Sequence, residues 1–509
     1  MSAGAAQGVL GVVAALGVVL ALAPVPRVAG RARAAGVAVM IAAWAGTMLT
    51  LLPEGARTRL ERPAWAAAAV AGALVAVAAG LVVGRVAWAH PTAWFLALGL
   101  TLPVRIPVPL GGDTRNLLLP LYVVIAVGLL GWADAARRGA ARDPRSPLDL
   151  PLAAMVGFSL ASLAWSVDRE EGAVKVVFFY IPFALLYLVV AAWWPRARAA
   201  RTLALATIGL AIPVALLAVW QFQSHELLLN DRLQKANAYS SFFRANSIFF
   251  DPNILGRFLV VAMLAVVAIA WIRRGSPRTL AACGLVLLPL CAGLAVSFSR
   301  SSCLMLIVGL VLMAAWAFGT RRTAAATLAL ALLLGGAAFA ASGNVRRALT
   351  DTKRMNKVSE GRFDLMRGGV DIWREAPVAG SGLGGFETQY EKTLTQKERG
   401  RIRVVISHNA PITVLSELGA IGAALLAWLV VATAFVVHRR ARGVGGIPGW
   451  VAWTMLATMA GILVHTLLYS ALFEDPYNWV LLAGAIAVTG AGARELATRD
   501  GDGIAAAEG

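Results

Sequence analysis

The chain has 509 residues, of which 59% are hydrophobic and only 14% are charged, whereas a typical soluble domain has about 25% charged residues. Apolar runs long enough to cross a bilayer recur along nearly the whole sequence, and alternating-strand patterns are absent. This composition excludes an ordinary soluble protein and predicts an all-α polytopic membrane protein rather than an outer-membrane barrel. The net charge of +19 does not require a nucleic-acid partner, because short cytoplasmic loops collect arginine.

The apolar segments predict about 13 to 15 transmembrane helices, since most are about 18 residues or longer. The least regular is 93–110, which Pro103, Arg105 and Pro107 interrupt. The first, Gly8 to Ala23, is not preceded by Lys or Arg, so we expect an uncleaved helix rather than a signal peptide. The candidate spans are 5–23, 34–52, 64–83, 93–110, 117–133, 148–166, 173–193, 202–220, 254–272, 279–297, 302–318, 323–341, 410–437, 448–472 and 477–492.

Arginine clusters in the short loops predict the orientation, because such clusters stay in the cytoplasm. If each span crosses once, they all fall on one side. The clusters are Arg27/Arg31/Arg33, Arg137/Arg138/Arg142/Arg145, Arg196/Arg198/Arg201, Arg273/Arg274/Arg278, Arg321/Arg322 and Arg439/Arg440/Arg442. The predicted divisions are N-terminal helices 1–133, a core 134–341 with the outer loop 221–252, a long outer loop 342–407, C-terminal helices 408–492 and a cytoplasmic tail 493–509.

The long outer loop 342–407 is predicted to be partly helical. Phe363, Met366, Val370 and Trp373 recur at helical spacing, which gives a helix from about 360 to 375 an apolar face. The glycine-rich stretch 380–385 that follows formally matches a dinucleotide-binding pattern, but that interpretation needs a strand before it. A tight loop that allows close approach of backbone is the better interpretation.

The most informative motif is His408-Asn409, nine residues, Gly419, two residues and Gly422. It lies where the polar outer loop returns to apolar sequence, and an ionisable group at such a boundary is a candidate functional residue. Glu417 lies two turns below His408. It is expected either to orient or pair with a cation in the bundle, or to make a purely structural pair.

Two arginines fall on the outer side, against the charge rule for short loops. Arg244 directly precedes a span, and Arg300 lies in a turn between two spans. Each alone could be a snorkelling arginine. Together with His408 at one membrane level they form a constellation, and arginines at such a boundary suit a diphosphate. His465, buried in an apolar run, is expected to make an interhelix hydrogen bond.

The outer segments contain no Asp-x-Asp pattern and no paired carboxylates, and the three cysteines all lie in apolar runs. The sequence therefore predicts no metal site, no cofactor and no disulfide framework. If a diphosphate is handled here, arginine rather than a divalent cation is expected to neutralise it.

Four motifs together resemble the O-antigen ligase/polymerase superfamily. They are Arg-x-x-Ser-x-Phe-Phe-Asp-Pro-Asn at 244–253, Ser-Arg-Ser at 299–301, Gly361-Arg362 through Trp373 and Pro377 to Gly380-x-Gly382, and the His408 motif. The resemblance covers about 240 to 440. It implies a multi-pass enzyme of the bacterial cytoplasmic (inner) membrane that transfers a glycan from undecaprenyl diphosphate to a sugar hydroxyl on the outer face.

Carried over to this sequence, the resemblance implies that Arg244 and Arg300 hold the diphosphate and that His408 acts at the acceptor hydroxyl. Arg362, Asn253, Asn409 and Glu417 are further candidate substrate-binding residues. The expected reaction is inverting and metal-independent. The two or three additional N-terminal helices leave ligase and polymerase both open, and the His408 motif favours the ligase type slightly.

Two other classes of function remain as alternatives. A transporter or flippase of lipid-linked sugars also needs a bundle and basic residues, but ion-coupled transporters usually carry acidic residues at the midplane. A structural assembly partner is the second alternative. The long outer loop with a histidine at its exit argues against both.

Overall fold

A computed structural model describes residues 2–22, 29–110, 113–140, 145–194, 198–228, 230–239, 242–329, 362–394 and 407–490. The N-terminal half contains α1 Ala3–Leu22, α2 Ala29–Thr50, α3 Glu54–Leu60, α4 Pro63–Ala89, α5 Pro91–Thr101, β1 Ile106–Leu110, β2 Asp113–Leu117, α6 Leu119–Arg137, α7 Asp149–Ala161, α8 Arg169–Lys175, α9 Ile181–Trp193, α10 Ala199–Ser224 and α11 Asp231–Ala238. The C-terminal half contains α12 Pro252–Ile272, α13 Pro277–Ser297, α14 Arg300–Phe318, α15 Arg362–Glu375, α16 Phe386–Thr393, α17 Ala410–Val444, α18 Gly446–His465 and α19 Pro476–Ala487.

The predicted fold class, an all-α polytopic membrane protein, is confirmed. Within the described residues, 11 helices are long and apolar enough to cross a membrane, and Pro91–Thr101 and Asp149–Ala164 are shorter apolar helices. The 12-residue helix α19 covers most of the expected span 477–492. Of the expected span 323–341, only 323–329 lies within the described residues.

The segment 93–110 differs from the single span that its hydropathy suggests. Helix α5 ends at Thr101, and an antiparallel hairpin follows in which Ile106 pairs with Leu117. Pro103 and Pro107 explain the change, because proline lacks the backbone donor that a continuing helix needs. The expected helix at about 360 to 375 is present as α15.

The loops at one end of the bundle are joined to one another by backbone hydrogen bonds. The amide of Ala245 donates to Val296 over 3.1 Å, and that of Ala410 donates to Thr466 over 2.9 Å. We call this end, which contains His408, the His408 end. The arginine clusters described in the structure lie at the opposite ends of the same helices.

Glycines join the stretch after α15 to the middle of α17. Gly419 has a φ of 63°, which bends α17, and Gly380 has a φ of 70°. A Cβ on Gly419 would collide with the carbonyl of Val378, and one on Gly380 would collide with the backbone of Glu417. The amide of Gly382 donates to the Glu417 carbonyl over 2.8 Å. The glycine-rich stretch is therefore a tight loop against α17, as expected, and not a dinucleotide site.

Labelling in a cysteine-free background tests the orientation. We expect Thr393→Cys, at the end of α16, to react with a membrane-impermeant maleimide added outside intact cells. Arg439→Cys, in the arginine cluster that ends α17, is the matched control and should react only after the membrane is opened. The reverse pattern would contradict the predicted topology.

Gly419→Ala is expected to destabilise the protein, because Gly419 combines a positive φ with direct contact between backbones. Gly443→Ala is the control: Gly443 lies in the same helix with open space around its Cα, and alanine favours a helix by about 1 kcal/mol. Thermal unfolding in detergent should show a lower Tm for Gly419→Ala and an unchanged or higher Tm for Gly443→Ala. Equal Tm values would show that the kink at Gly419 tolerates a side chain.

Candidate functional site

Arg244 is held against the loop that contains Arg300. The Arg244 Nε donates to the carbonyl of Ser297 over 3.2 Å, and its Nη2 donates to Asn253 Oδ1 over 3.4 Å. The hydroxyl of Ser299 donates to the same Asn253 oxygen over 2.9 Å. The structure thus brings Arg244 and Asn253 together, as the sequence suggested, and joins both to the residue before Arg300.

Arg300 is the first residue of α14, and its side chain is exposed. The turn that presents it is tightly fixed. Phe298 has a φ of 49°, and Ser299 caps α14 by accepting a hydrogen bond from the amide of Ser302. The hydroxyls of Ser299 and Ser302 lie 2.7 Å apart. A guanidinium group on a fixed turn beside Arg244 is suited to bind an anion.

His408 lies in a fixed turn before α17. Its φ of 54° is in the left-handed region, which histidine adopts more readily than most residues. Asn409 caps α17 by accepting a hydrogen bond from the Ile412 amide, and its Nδ2 donates to the carbonyl of Leu467 over 3.0 Å. Asn409 therefore positions His408, and both the oxygen and the nitrogen of its side-chain amide already make hydrogen bonds within the protein.

Tyr469 and Arg257 lie behind His408. The rings of His408 and Tyr469 have centroids 6.5 Å apart, and the buried His465 ring lies 5.7 Å from Tyr469. The Arg257 guanidinium stacks over Tyr469 at 5.7 Å. Its Nε binds Asp475 Oδ2 over 2.9 Å, and both side chains are only 3% exposed. This buried ion pair supports the side of the site that contains His408.

Helix α12 connects the arginine side of the site to the histidine side. Asn253, in the Arg244 network, and Arg257, in the Tyr469 network, both lie near the start of α12. Residues four apart on a helix share one face, so the two networks are neighbours. Arg257 was not among the predicted site residues, although a charged residue inside an apolar span is a functional candidate.

Arg105 completes this cluster from the loop before the hairpin. Burial, together with the nearby charge of Arg257, lowers the pKa of Arg105. Burial likewise raises the pKa of Tyr469, and the Asp251 carboxylate adds to the effect. The raised pKa favours the neutral phenol of Tyr469, which packs against Arg257 and His465.

Glu417 forms a buried ion pair with Lys175. Lys175 Nζ lies 2.9 Å from Glu417 Oε1 and 3.2 Å from Oε2, and the side chains are 13% and 5% exposed. Lys175 ends α8, just before a π-helical segment, Val176–Tyr180. This pair is compatible with the structural pairing expected for Glu417, and its role as a substrate-binding residue stays a prediction.

The remaining candidate, Arg362, is the first residue of α15, and the outer loop around it is described only for 362–394 and 407 onward. Among the described residues, no group of three or more His, Cys, Asp or Glu side chains could hold a metal ion.

Four helices begin at the site, and each is capped by a side chain. Asp251, Ser299, Asn409 and Asp475 cap α12, α14, α17 and α19 respectively. The positive end of a helix dipole stabilises negative charge. Helix α14 begins at Arg300, and Asn253 near the start of α12 binds Arg244, so the arginine side of the site is suited to an anionic group.

Comparison with known families finds a match in this part of the chain. The family model described as O-Antigen ligase matches residues 284–427. This part of the chain contains Arg300, Arg362, His408, Asn409 and Glu417, whereas Arg244 and Asn253 lie before it. The match confirms, for residues 284–427 of this multi-pass membrane protein, the resemblance to the O-antigen ligase superfamily that was drawn from its motifs. No curated protein matches the chain.

A double-mutant cycle tests the buried pair. Lys175→Met and Glu417→Gln should each destabilise the protein by about 3–5 kcal/mol, because each leaves one buried charge without its partner. The double variant should lose much less than the sum. Unfolding in detergent measures all three, with Arg374→Met as a control, since the Arg374–Asp371 pair is 68% and 47% exposed and should contribute little. Additive losses would mean that Lys175 and Glu417 are not coupled.

Proposed function

We propose that the protein is a glycosyltransferase that moves a glycan from undecaprenyl diphosphate to an acceptor sugar hydroxyl. The reaction takes place at the outer face of the bacterial inner membrane and is of the O-antigen ligase type. The observation that carries the proposal is the link through the start of α12, where Asn253 binds Arg244 and Arg257 stacks on Tyr469 beside His408. The predicted division of the chain, with 342–407 outside and 493–509 in the cytoplasm, belongs to the same proposal.

The arginine side of the site suits the donor. When the bond between the anomeric carbon and the diphosphate breaks, negative charge develops on the leaving undecaprenyl diphosphate. Fixed guanidinium groups and helix N-termini in a partly dry site stabilise such charge without reorganising. Arg244 is held by Ser297 and Asn253, and Arg300 is presented by a capped turn, so both are preorganised for this role.

His408 suits the acceptor. An imidazole with a pKa near 6.5 in water accepts a proton readily at neutral pH. In the proposed reaction His408 takes the proton of the acceptor hydroxyl while the hydroxyl oxygen bonds to the anomeric carbon. The diphosphate leaves with the electron pair of the broken bond. One displacement inverts the anomeric configuration. Asn409, capping α17, fixes the turn from which His408 acts.

Polymerisation of lipid-linked repeats uses the same chemistry and is the alternative. The two or three additional N-terminal helices leave it open, because family members of the ligase type usually have fewer helices before the long loop. The two functions differ in their products. A purified protein given lipid-linked donor and lipid A–core makes one transfer if it is a ligase, whereas ladders of increasing length on undecaprenyl diphosphate identify a polymerase.

His408→Ala is expected to lower transfer by roughly 10²-fold or more, which is the usual contribution of general acid–base catalysis. The protein should remain folded and inserted, because the imidazole is one partly exposed side chain at the membrane boundary. His90→Ala, at the exposed end of α4, is the control and should keep full activity. Near-normal transfer by a well-expressed His408→Ala variant would assign His408 a structural role.

Arg244→Ala and Arg300→Ala should each weaken donor binding by about 2–5 kcal/mol, the usual loss when one partner of a charged contact is removed. Lysine at either position keeps the charge but loses the planar, bidentate hydrogen bonding of the guanidinium group, so its effect should be intermediate. Arg59→Ala, on the exposed face of α3, is the control.

Because guanidinium groups supply the positive charge, wild-type transfer should survive EDTA. Loss in EDTA that Mg²⁺ restores would contradict the arginine mechanism.

A further inference from the structure

A polar cleft opens at the His408 end, apart from the arginines and His408. Its volume is about 760 Å³, and it lies between the start of α1, the turn from α2 to α3 and the start of α8. Arg244, Arg300 and His408 do not line it. We propose that this cleft binds sugar residues of the glycan, at a distance from the bond that reacts. The inference rests on the proposed function and gives the substrate a second subsite.

The charge of the cleft argues against an anion. Arg57 and Arg169 line it together with Asp168 and Glu170, so two positive and two negative side chains balance. A diphosphate or a lipid headgroup phosphate would gain little there over water. The site built around Arg244 and Arg300 has the opposite character, so the two places are suited to chemically different parts of one substrate.

The lining combines apolar and polar groups, which suits the ring faces and the hydroxyl groups of a sugar: Leu51, Leu52, Pro53 and Val167 lie beside the charged residues. Gln7 also lines the cleft, and its Nε2 donates to Thr50 Oγ1 over 3.2 Å. The Glu170 carboxylate is exposed and has no hydrogen-bond partner among the described residues. Carboxylates accept hydrogen bonds from sugar hydroxyls, and guanidinium groups donate to them. The volume lies in the range of about 300–1,000 Å³ that is typical of ligand sites, which is enough for a few sugar residues.

The wall of the cleft is joined to the glycine loop, and through that loop to α17. The Val167 amide donates to the Ser381 carbonyl over 3.0 Å, and the Thr388 hydroxyl donates to Asp168 Oδ2 over 2.7 Å. The loop in turn binds Glu417 of α17 through the amide of Gly382. A glycan in the cleft would therefore be held on the same rigid unit that presents His408.

Filling the cleft tests the proposal directly. Ala3 lines it, so Ala3→Trp should block it, whereas Ala5→Trp changes an exposed residue on another face of α1. Glu170→Gln removes the free carboxylate, and Glu54→Gln is its control on the exposed face of α3. The probe is the lipid-free oligosaccharide of several repeats, released from the surface glycan of the host cell, and titration calorimetry measures its binding to purified protein.

We expect saturable binding to the wild type, weakened about tenfold or more in Ala3→Trp and Glu170→Gln, which corresponds to about 1.4 kcal/mol. The two control variants should bind normally. Absence of binding by the wild type, or equal binding by all five proteins, would overturn the proposal. Because this readout needs no catalysis, binding without any transfer would reject the proposed function and leave the cleft assignment intact.

Transfer assays supply the converse distinction. With donors of several repeats, Ala3→Trp should raise KM about tenfold, whereas with single-repeat donors it should match the wild type, because a short glycan does not reach the cleft. Ala5→Trp should be normal with both. If Ala3→Trp transfers long and short glycans equally well, the transferase function stands and the cleft is not a glycan subsite.

Discussion

The buried ion pair between Arg257 and Asp475 is the interaction on which the site depends most. Both side chains are 3% exposed, and a buried pair that loses one partner costs about 3–5 kcal/mol. Arg257 joins α12 to the loop before α19 and also stacks on Tyr469, beside His408. One turn earlier in α12, Asn253 binds Arg244. A single helix end therefore sets the relative position of the two halves of the proposed reaction.

The His408 side of the site is also supported by parts of the chain that are distant in sequence and meet on α17. Lys175 from the end of α8 binds Glu417, and the glycine loop packs its backbone against the same residue. Helix α17 is thereby fixed below His408 from two sides. The kink at Gly419 makes the close approach of the loop possible, because a straight helix with side chains there would exclude it.

Much of the fold could be predicted from the sequence, because the length of an apolar segment and the position of arginines in a loop can be read from short stretches of the chain. The helices, the amphipathic α15 and the tight glycine loop could be predicted in this way. The hairpin after α5 was not predicted, although Pro103 and Pro107 marked the place. In the site, His408, Arg244 and Arg300 stood out because charge is rare in such surroundings. The partners Lys175, Tyr469 and Asp475 could not be predicted, because their contacts depend on how the helices pack. Lys175, for example, lies 242 residues before its partner Glu417.

The left-handed backbone of His408 limits how this position can vary over evolution. Glycine, asparagine and aspartate suit such a backbone best, yet none of them changes protonation state near neutral pH. Valine, isoleucine and threonine fit it poorly, because their branched Cβ crowds the chain. Two requirements therefore limit substitution at this position: the backbone conformation of the turn and the need for an imidazole. A lineage that replaced His408 would have to rebuild the turn before α17 as well as the chemistry.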